Sequence, residues 1–384
     1  MSTQNQTILK KRIVSIDIMR GIVMLIMLLD HVRERFFFHE QVTDPMTLDS
    51  TSTALFLSRF AAHFCAPTFV FLTGISAWLY SHPQFGPQRS AREFLVKRGL
   101  FIIALECTVI TYQWMGNYDM IWLQVMWAIG VSMLALAALC RLPTAWLAAL
   151  GLVIVFGHNL LTPINFSPGE WGYTLWAILH DRGNILPNDF IGIRASYPVL
   201  PWIGVILLGY ALGPIYSANF ADSKRHQLLI GLGLSCFAMF ALLRGFNIYG
   251  ETLDWVKGDS LSMTLKSVFN VTKYPPSLAF LLVTLGGTLL CLRGLESLKP
   301  RYGKPLAVMG AAPMFFYIVH LYLLLFMYLF AVKVIGPNYG DVYGFTHIAY
   351  VWIVTIVLSV LLYYPTKRFS QYKHQSKLAW IKYF

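Results

Sequence analysis

Apolar residues run unbroken through long stretches of this chain, and polar residues gather between them. Runs near 14–32, 55–80, 97–113, 119–140, 143–161, 197–217, 227–243, 276–293, 305–332 and 346–364 each reach roughly 17 residues or more. At ~1.5 Å per residue, that length crosses a ~30 Å hydrocarbon core. The pattern predicts an all-α polytopic membrane protein with about ten transmembrane helices. No small-residue cleavage site follows the first run, so it reads as a retained span and not a signal sequence.

Composition agrees with the pattern. Charged residues make up 12% of the 384 positions and hydrophobic ones 57%, with a mean hydropathy of +0.58. Soluble domains carry about 25% charged residues. The formal net charge of +12 is sorted by loop. Counting from an inner start, one set of segments holds Lys10 to Arg12; Arg89, Arg92, Lys97 and Arg98; Arg141; Lys224 and Arg225; Arg293, Lys299, Arg301 and Lys304; and the tail cations from Lys367 to Lys382. This set has nineteen basic residues against nine in the alternate set. Most of the acids, including Glu40, Asp44, Asp119, Glu170, Asp181, Asp189, Glu251 and Asp341, fall in the alternate set. The bias predicts both termini on the cytoplasmic side. It excludes a nucleic-acid footprint. Residues 1–12 then form a cytoplasmic N-terminal tail, 13–366 the transmembrane domain and 367–384 a basic cytoplasmic C-terminal tail that suits an anionic leaflet.

Other chemistry is excluded by motif. Cys65, Cys107, Cys140, Cys236 and Cys291 stand apart and read as small apolar residues, with no disulfide or metal spacing among them. The phosphate loop, the dinucleotide fingerprint, the serine elbow and the HExxH helix are all missing. No metal is expected. Two connections of the outer set, about 162–196 and 244–275, are longer than a link needs and suggest lids or substrate contacts. Within the first, Trp171 to His180 has aromatic residues at the spacing of an interfacial helix.

Ionisable groups inside spans cost at least ~2.5 kcal/mol each, so their positions carry information. His31, His63, His158, His320 and His347 fall in the outer halves of five spans, which predicts one polar chamber. Glu106 at mid-depth on the third span fits either a structural hydrogen bond or a catalytic role. Arg59 either snorkels or pairs with Asp30. The first span is richest. Arg20 and His31 are eleven residues apart, about 1100° of helix, so they share one face with ~16 Å between them. Asp17, three residues before Arg20, can hold its guanidinium. Asp30 points about 100° away from His31, towards a different partner such as His63 or Arg59.

These residues carry a resemblance. Arg12-x-x-Ser15-Ile16-Asp17-x-x-Arg20-Gly21, followed by Asp30-His31-Val32-Arg33, resembles the opening of the heparan-α-glucosaminide N-acetyltransferase-like membrane proteins. Arg59-Phe60-x-x-His63-Phe64-Cys65-Ala66-Pro67-x-Phe69-Val70-Phe71-Leu72-x-Gly74 is similar to the bacterial branch of that family, and Tyr317-Ile318-Val319-His320 to another family segment. The spacing of Arg20 and His31 is also similar to that of bacterial transmembrane acyltransferases that decorate surface sugars. The resemblance implies a transmembrane acyltransferase domain in a bacterial inner membrane. It would move an acetyl group from cytoplasmic acetyl-CoA, a co-substrate, to a sugar amine or hydroxyl on the other side. Membrane lipids are expected partners and an oligomer is left open.

The residue types suit that chemistry. Histidine is the side chain that deprotonates an acceptor near neutral pH, and cations hold the donor's phosphates. The expected catalytic group is His31, His63 and Asp30, and the expected donor site Arg20, Asp17, Arg98 and Arg301. There is one departure. Eukaryotic members carry their catalytic histidine about eleven residues beyond an asparagine that aligns with His31, whereas this chain has His39, eight residues on, which reads as a solvated loop residue. His31, His63 and His39 therefore stay open as the base, with His31 leading. The competing reading is a proton-coupled secondary transporter in which intramembrane His, Asp and Glu relay protons; a third is a membrane assembly protein whose polar groups only bind helices together.

Overall fold

The computed structural model describes residues 3–186, 191–378, 380–381 and 384. Asp189 and Lys382, counted above among the loop charges, lie outside them. The chain is built from helices: α1 (Thr3–Phe36), α2 (Thr53–His63), α3 (Cys65–Ser81), α4 (Ala91–Leu105), α5 (Thr111–Met115), α6 (Val125–Leu139), α7 (Thr144–Gly157) and α8 (Tyr173–Leu179). Then follow α9 (Leu200–Leu212), α10 (Asp222–Gly245), α11 (Leu261–Phe269), α12 (Leu278–Glu296), α13 (Pro300–Gly310), α14 (Pro313–Val334) and α15 (Ile348–Gln375). Among the described residues, six helical segments are long and apolar enough to cross a membrane: Thr53–Ser81, Thr144–Leu161, Asp222–Gly245, Leu278–Glu296, Pro313–Val334 and Ile348–Gln375. Large apolar side chains such as Val153, Phe330, Ile356 and Val360 are exposed on them. In water such a surface would aggregate; in lipid it is satisfied.

The remaining expected spans differ in detail. α1 is long enough, but Asp17, Arg20 and Asp30 interrupt its apolar run. The run at 97–113 is α4, one π-helical turn (Glu106–Ile110) and α5. The run at 119–140 opens as a strand, β1 (Met120–Leu123), before α6 begins. The run at 305–332 is cut between α13 and α14, where Pro313 starts a new helix because it cannot continue the old one. The helical reading also missed a small sheet. β1 pairs in parallel with β3 (Gly192–Ala195), and β3 pairs antiparallel with β2 (Gly183–Leu186). A four-residue strand inside an apolar run, as β1 is, has no periodicity that separates it from helix, and β2 and β3 are as short within the 162–196 connection.

The chain divides into two compact units. One comprises Met1–Cys65, Trp255–Asn270 and Cys291–Phe384. Here α1 and α13 cross with their backbones in contact. A Cβ on Gly21 would overlap the Leu306 carbonyl, and one on Gly310 the Asp17 carbonyl. Small residues at such crossings let membrane helices approach closely. α11 packs on α2 and on the loop before it: the Asn270 side chain exchanges two hydrogen bonds with the Met46 backbone, and the Lys266 ammonium donates to the Thr51 carbonyl.

The second unit comprises Ala66–Asp254 and Val271–Leu290. Its two parts of the 244–275 connection, up to Asp254 and from Val271 on, are joined at Glu251, whose carboxylate accepts from the Thr272 amide and from the Thr272 and Ser277 hydroxyls. α8 is held by the Trp176 indole, which donates to the Ile164 carbonyl at 2.7 Å. Trp171, just before α8, is 95% exposed, as an interfacial anchor requires.

Candidate active site

Asp17, Arg20, Asp30 and His31 of the first unit lie along α1. At one end Arg20 Nη1 donates to Asp17 Oδ1 at 2.7 Å, the predicted pairing one turn apart. Near the other end Asp30 is buried between two guanidinium groups. Its Oδ1 accepts from Arg33 Nε and Nη2 at 3.0 and 2.8 Å, and its Oδ2 accepts from Arg59 Nη1 at 3.1 Å. Glu34 Oε1 lies 3.5 Å from Arg33 and 4.0 Å from Arg59. Two cations therefore meet two carboxylates, and the network ties α1 to α2 with almost no net charge. Arg59 pairs with Asp30 as one of its two sequence readings required. Arg33, part of the Asp30-His31-Val32-Arg33 motif, stands three residues after Asp30, the spacing that allows the pair.

His31 occupies the next position on α1 and is brought onto α14. Its Nδ1 lies 2.7 Å from Nε2 of His320, with the two rings within 8° of parallel. His320 is fully buried, and its Nδ1 lies 2.7 Å from the Phe316 carbonyl. A carbonyl only accepts, so His320 carries its proton on Nδ1 and presents a lone pair at Nε2. His31 then donates from Nδ1, which places its own lone pair on Nε2. Tyr317 stands edge-on to His31 at 5.9 Å between ring centres. His31 keeps some exposure while its partner keeps none. The result is an oriented imidazole with its basic nitrogen fixed by a buried neighbour.

Other sequence candidates are distributed differently. His63 is buried on α2, its ring 6.0 Å from Phe60. His39 is stacked on Tyr339 at 3.7 Å and is not the solvated loop residue expected. Of the five histidines expected in one chamber, His31 and His320 come together. His347 is exposed and caps α15, its Nδ1 accepting from the Ala349 amide. His158 is buried in the second unit, its ring centre 6.1 Å from that of His180. The break before Pro313 also resets the depth of His320, which stands seven residues, ~10 Å, into α14.

Glu106 has a structural task. Its Oε2 accepts from the Met126 and Trp127 amides at 2.8 and 3.2 Å, capping the first turn of α6 from a neighbouring helix. Of the expected donor residues, Asp17 and Arg20 come together. Arg301 is exposed on α13, whose later residues pack on α1 beside them. Arg98 belongs to the second unit, its guanidinium 5.7 Å from the Phe94 ring.

The sequence profile of the family described as heparan-alpha-glucosaminide N-acetyltransferase, catalytic, matches residues 12–243. The chain belongs to this family. Comparison with the curated proteins gives no match. The N-acetyltransferase match takes in Asp17, Arg20, Asp30, His31, Arg59, His63 and Arg98. It ends before α13, α14 and α15, so His320 reaches the matched part of the chain through space. Sequence reading noticed Tyr317 to His320 as a segment but gave His320 no place among the catalytic residues. No spacing rule links positions 31 and 320; the helix packing does.

Proposed function

We propose that the protein is a ten-span membrane acetyltransferase with both termini in the cytoplasm, and that His31 is its general base. The single observation that carries the reading is the His31–His320 pair, which leaves the basic nitrogen of His31 at Nε2. The four spans beyond the six long apolar helices are α1, the α4–α5 segment, α6 and α9. The loop charges support the orientation. So does the packing of Asp17, on the first helix, against Gly310, since the carbonyl of the next residue, Ala311, accepts from Lys373 on the last helix.

The donor is acetyl-CoA, entering at the Asp17–Arg20 end of α1; the acceptor is a sugar amine or hydroxyl approaching His31 from the opposite side. His31 Nε2 takes the acceptor's proton as its nitrogen or oxygen attacks the thioester carbonyl. The tetrahedral intermediate collapses by breaking the carbon–sulfur bond. The thiolate that leaves then takes the proton back from the His31 imidazolium, giving CoA and the acetylated acceptor. His320 holds the ring and shares the charge while the imidazolium exists. The Asp30–Arg33–Arg59–Glu34 network adds almost no net charge beside it, so its cations do not oppose proton uptake.

Calorimetry on protein in nanodiscs tests the donor assignment. Saturable acetyl-CoA binding is expected, roughly tenfold weaker in Arg20→Ala, the usual scale for one charge-assisted phosphate contact. Folded wild-type protein that binds no acetyl-CoA would remove the donor from the scheme.

A further inference from the structure

The small sheet of the second unit has two unlike faces. Side chains alternate along a strand, and the register pairs Arg194 with Trp122 on one neighbour and with Asn184 on the other. Trp122, Arg194 and Asn184 therefore share one face, and Leu123, Gly183 and Ala195 share the opposite one. The opposite face is covered. Leu123 and Ala195 are buried, and a Cβ on Gly183 would overlap the Tyr173 hydroxyl of α8. The first face is polar and centres on Arg194, whose guanidinium lies 5.2 Å from the centre of the Trp122 ring. The Ser196 amide donates to the Leu123 carbonyl, which carries the ladder past β3 and puts the Ser196 side chain on the face of Arg194. Gly183 pairs with Ala195, so Arg182 adjoins Ser196 at the same end of the sheet. Arg182 is exposed, with its guanidinium 4.9 Å from the centre of the Tyr274 ring. Three buried donors of this face, Arg194 Nε, Trp122 Nε1 and Ser196 Oγ, have no hydrogen-bond partner among the described residues. Among the same residues neither arginine meets a carboxylate. Asp181, next to Arg182 in sequence, lies 3.0 Å from His180 Nδ1.

We infer that this face is a binding site for a small oxyanion, a sulfate, phosphate or carboxylate group. A buried N–H or O–H without an acceptor destabilises the fold, so three on one face call for a ligand that accepts. An oxyanion offers several acceptor oxygens to guanidinium, indole and hydroxyl together, and its charge balances that of Arg194. Water also satisfies such donors but brings no charge to the arginines. A mobile lipid headgroup is met by exposed cations, whereas the donors here are buried in the sheet face. The same oxyanion can arrive free or carried on an acidic sugar, and the test separates the two. The site lies wholly within the second unit and does not depend on the acetyl-transfer scheme.

The experiment is calorimetry of the full chain in phosphatidylcholine nanodiscs, titrated with inorganic sulfate and with glucose 6-sulfate. Wild type should bind sulfate saturably, about tenfold more tightly than Arg194→Gln. Trp122→Phe keeps the ring but removes the N–H, and should weaken binding about threefold. Arg194→Lys keeps the charge and should retain part of the affinity, which separates a lost contact from a lost fold. Lys333→Gln, which removes an exposed cation of α14, should behave as wild type. Glucose 6-sulfate that binds more tightly than sulfate, with the same dependence on Arg194, assigns the site to an acidic sugar. Equal or weaker binding assigns it to the free anion, and either result upholds the site. Folded wild type that binds no sulfate, or binding that is equal in wild type and Arg194→Gln, overturns it. So does sulfate binding that disappears at constant ionic strength when the nanodiscs carry anionic phosphatidylglycerol, because the donors then serve lipid headgroups.

Discussion

Replacing His31 with alanine is expected to lower the turnover of acetyl transfer by about 10²- to 10⁴-fold, the range for losing a positioned general base. Stability should fall by only about 1–3 kcal/mol, the cost of leaving the buried His320 Nε2 without its bond from His31, which is itself partly exposed. Acetyl-CoA affinity should also be unchanged, since Arg20 lies three helical turns away on the same face of α1. The His320 position distinguishes a base from a packing residue. His320→Gln keeps an acceptor for His31 Nδ1 and should retain much of the activity. His320→Leu removes that acceptor and should lower turnover roughly tenfold with the KM values for donor and acceptor unaltered. Steady-state assays of these three variants check the scheme. Full turnover in His31→Ala would move the base elsewhere, with His63 the next candidate.

The second large effect concerns stability. Asp30→Ala should destabilise the fold by roughly 3–5 kcal/mol, because it leaves the buried guanidinium groups of Arg33 and Arg59 without their shared carboxylate. Both arginines are about 5% exposed, so water cannot replace the lost partner, and Glu34 reaches them only at 3.5 and 4.0 Å. Asp30→Asn, which keeps the shape and part of the hydrogen bonding, should cost less. Unfolding in detergent, followed by helicity, measures both. Equal stability of Asp30→Ala and wild type would mean that the network is open to solvent and does not staple α1 to α2.

Much of this site was legible from local spacing. Asp17 with Arg20, the alignment of Arg20 with His31, and the availability of Asp30 for Arg59 follow from helix geometry and from the cost of charge in hydrocarbon. Features that depend on tertiary packing were not. His31 meets His320 because α1 and α14 pack together. Glu106 caps α6, although its position on the sequence says only that a carboxyl is buried. His347 looked like a span residue, but the helix begins after it and uses it as a cap. The fold shows the same division. Six long apolar helices were plain, whereas the cut before Pro313 and the strand at Met120–Leu123 were hidden inside apolar runs. The apolar run ends near residue 364, whereas α15 continues to Gln375 and carries Lys373 to the Ala311 carbonyl.

The central claim is that acetyl groups move from a donor at one membrane face to an acceptor reached from the other. Oriented proteoliposomes test it most directly. Radiolabelled acetyl-CoA is supplied at the face bearing the termini, and an amino sugar at the opposite face. The account predicts acetylated sugar on the acceptor side and free CoA on the donor side in equal amounts, both abolished by His31→Ala. Sugar or proton uptake with no acetylated product would contradict it and favour a transporter.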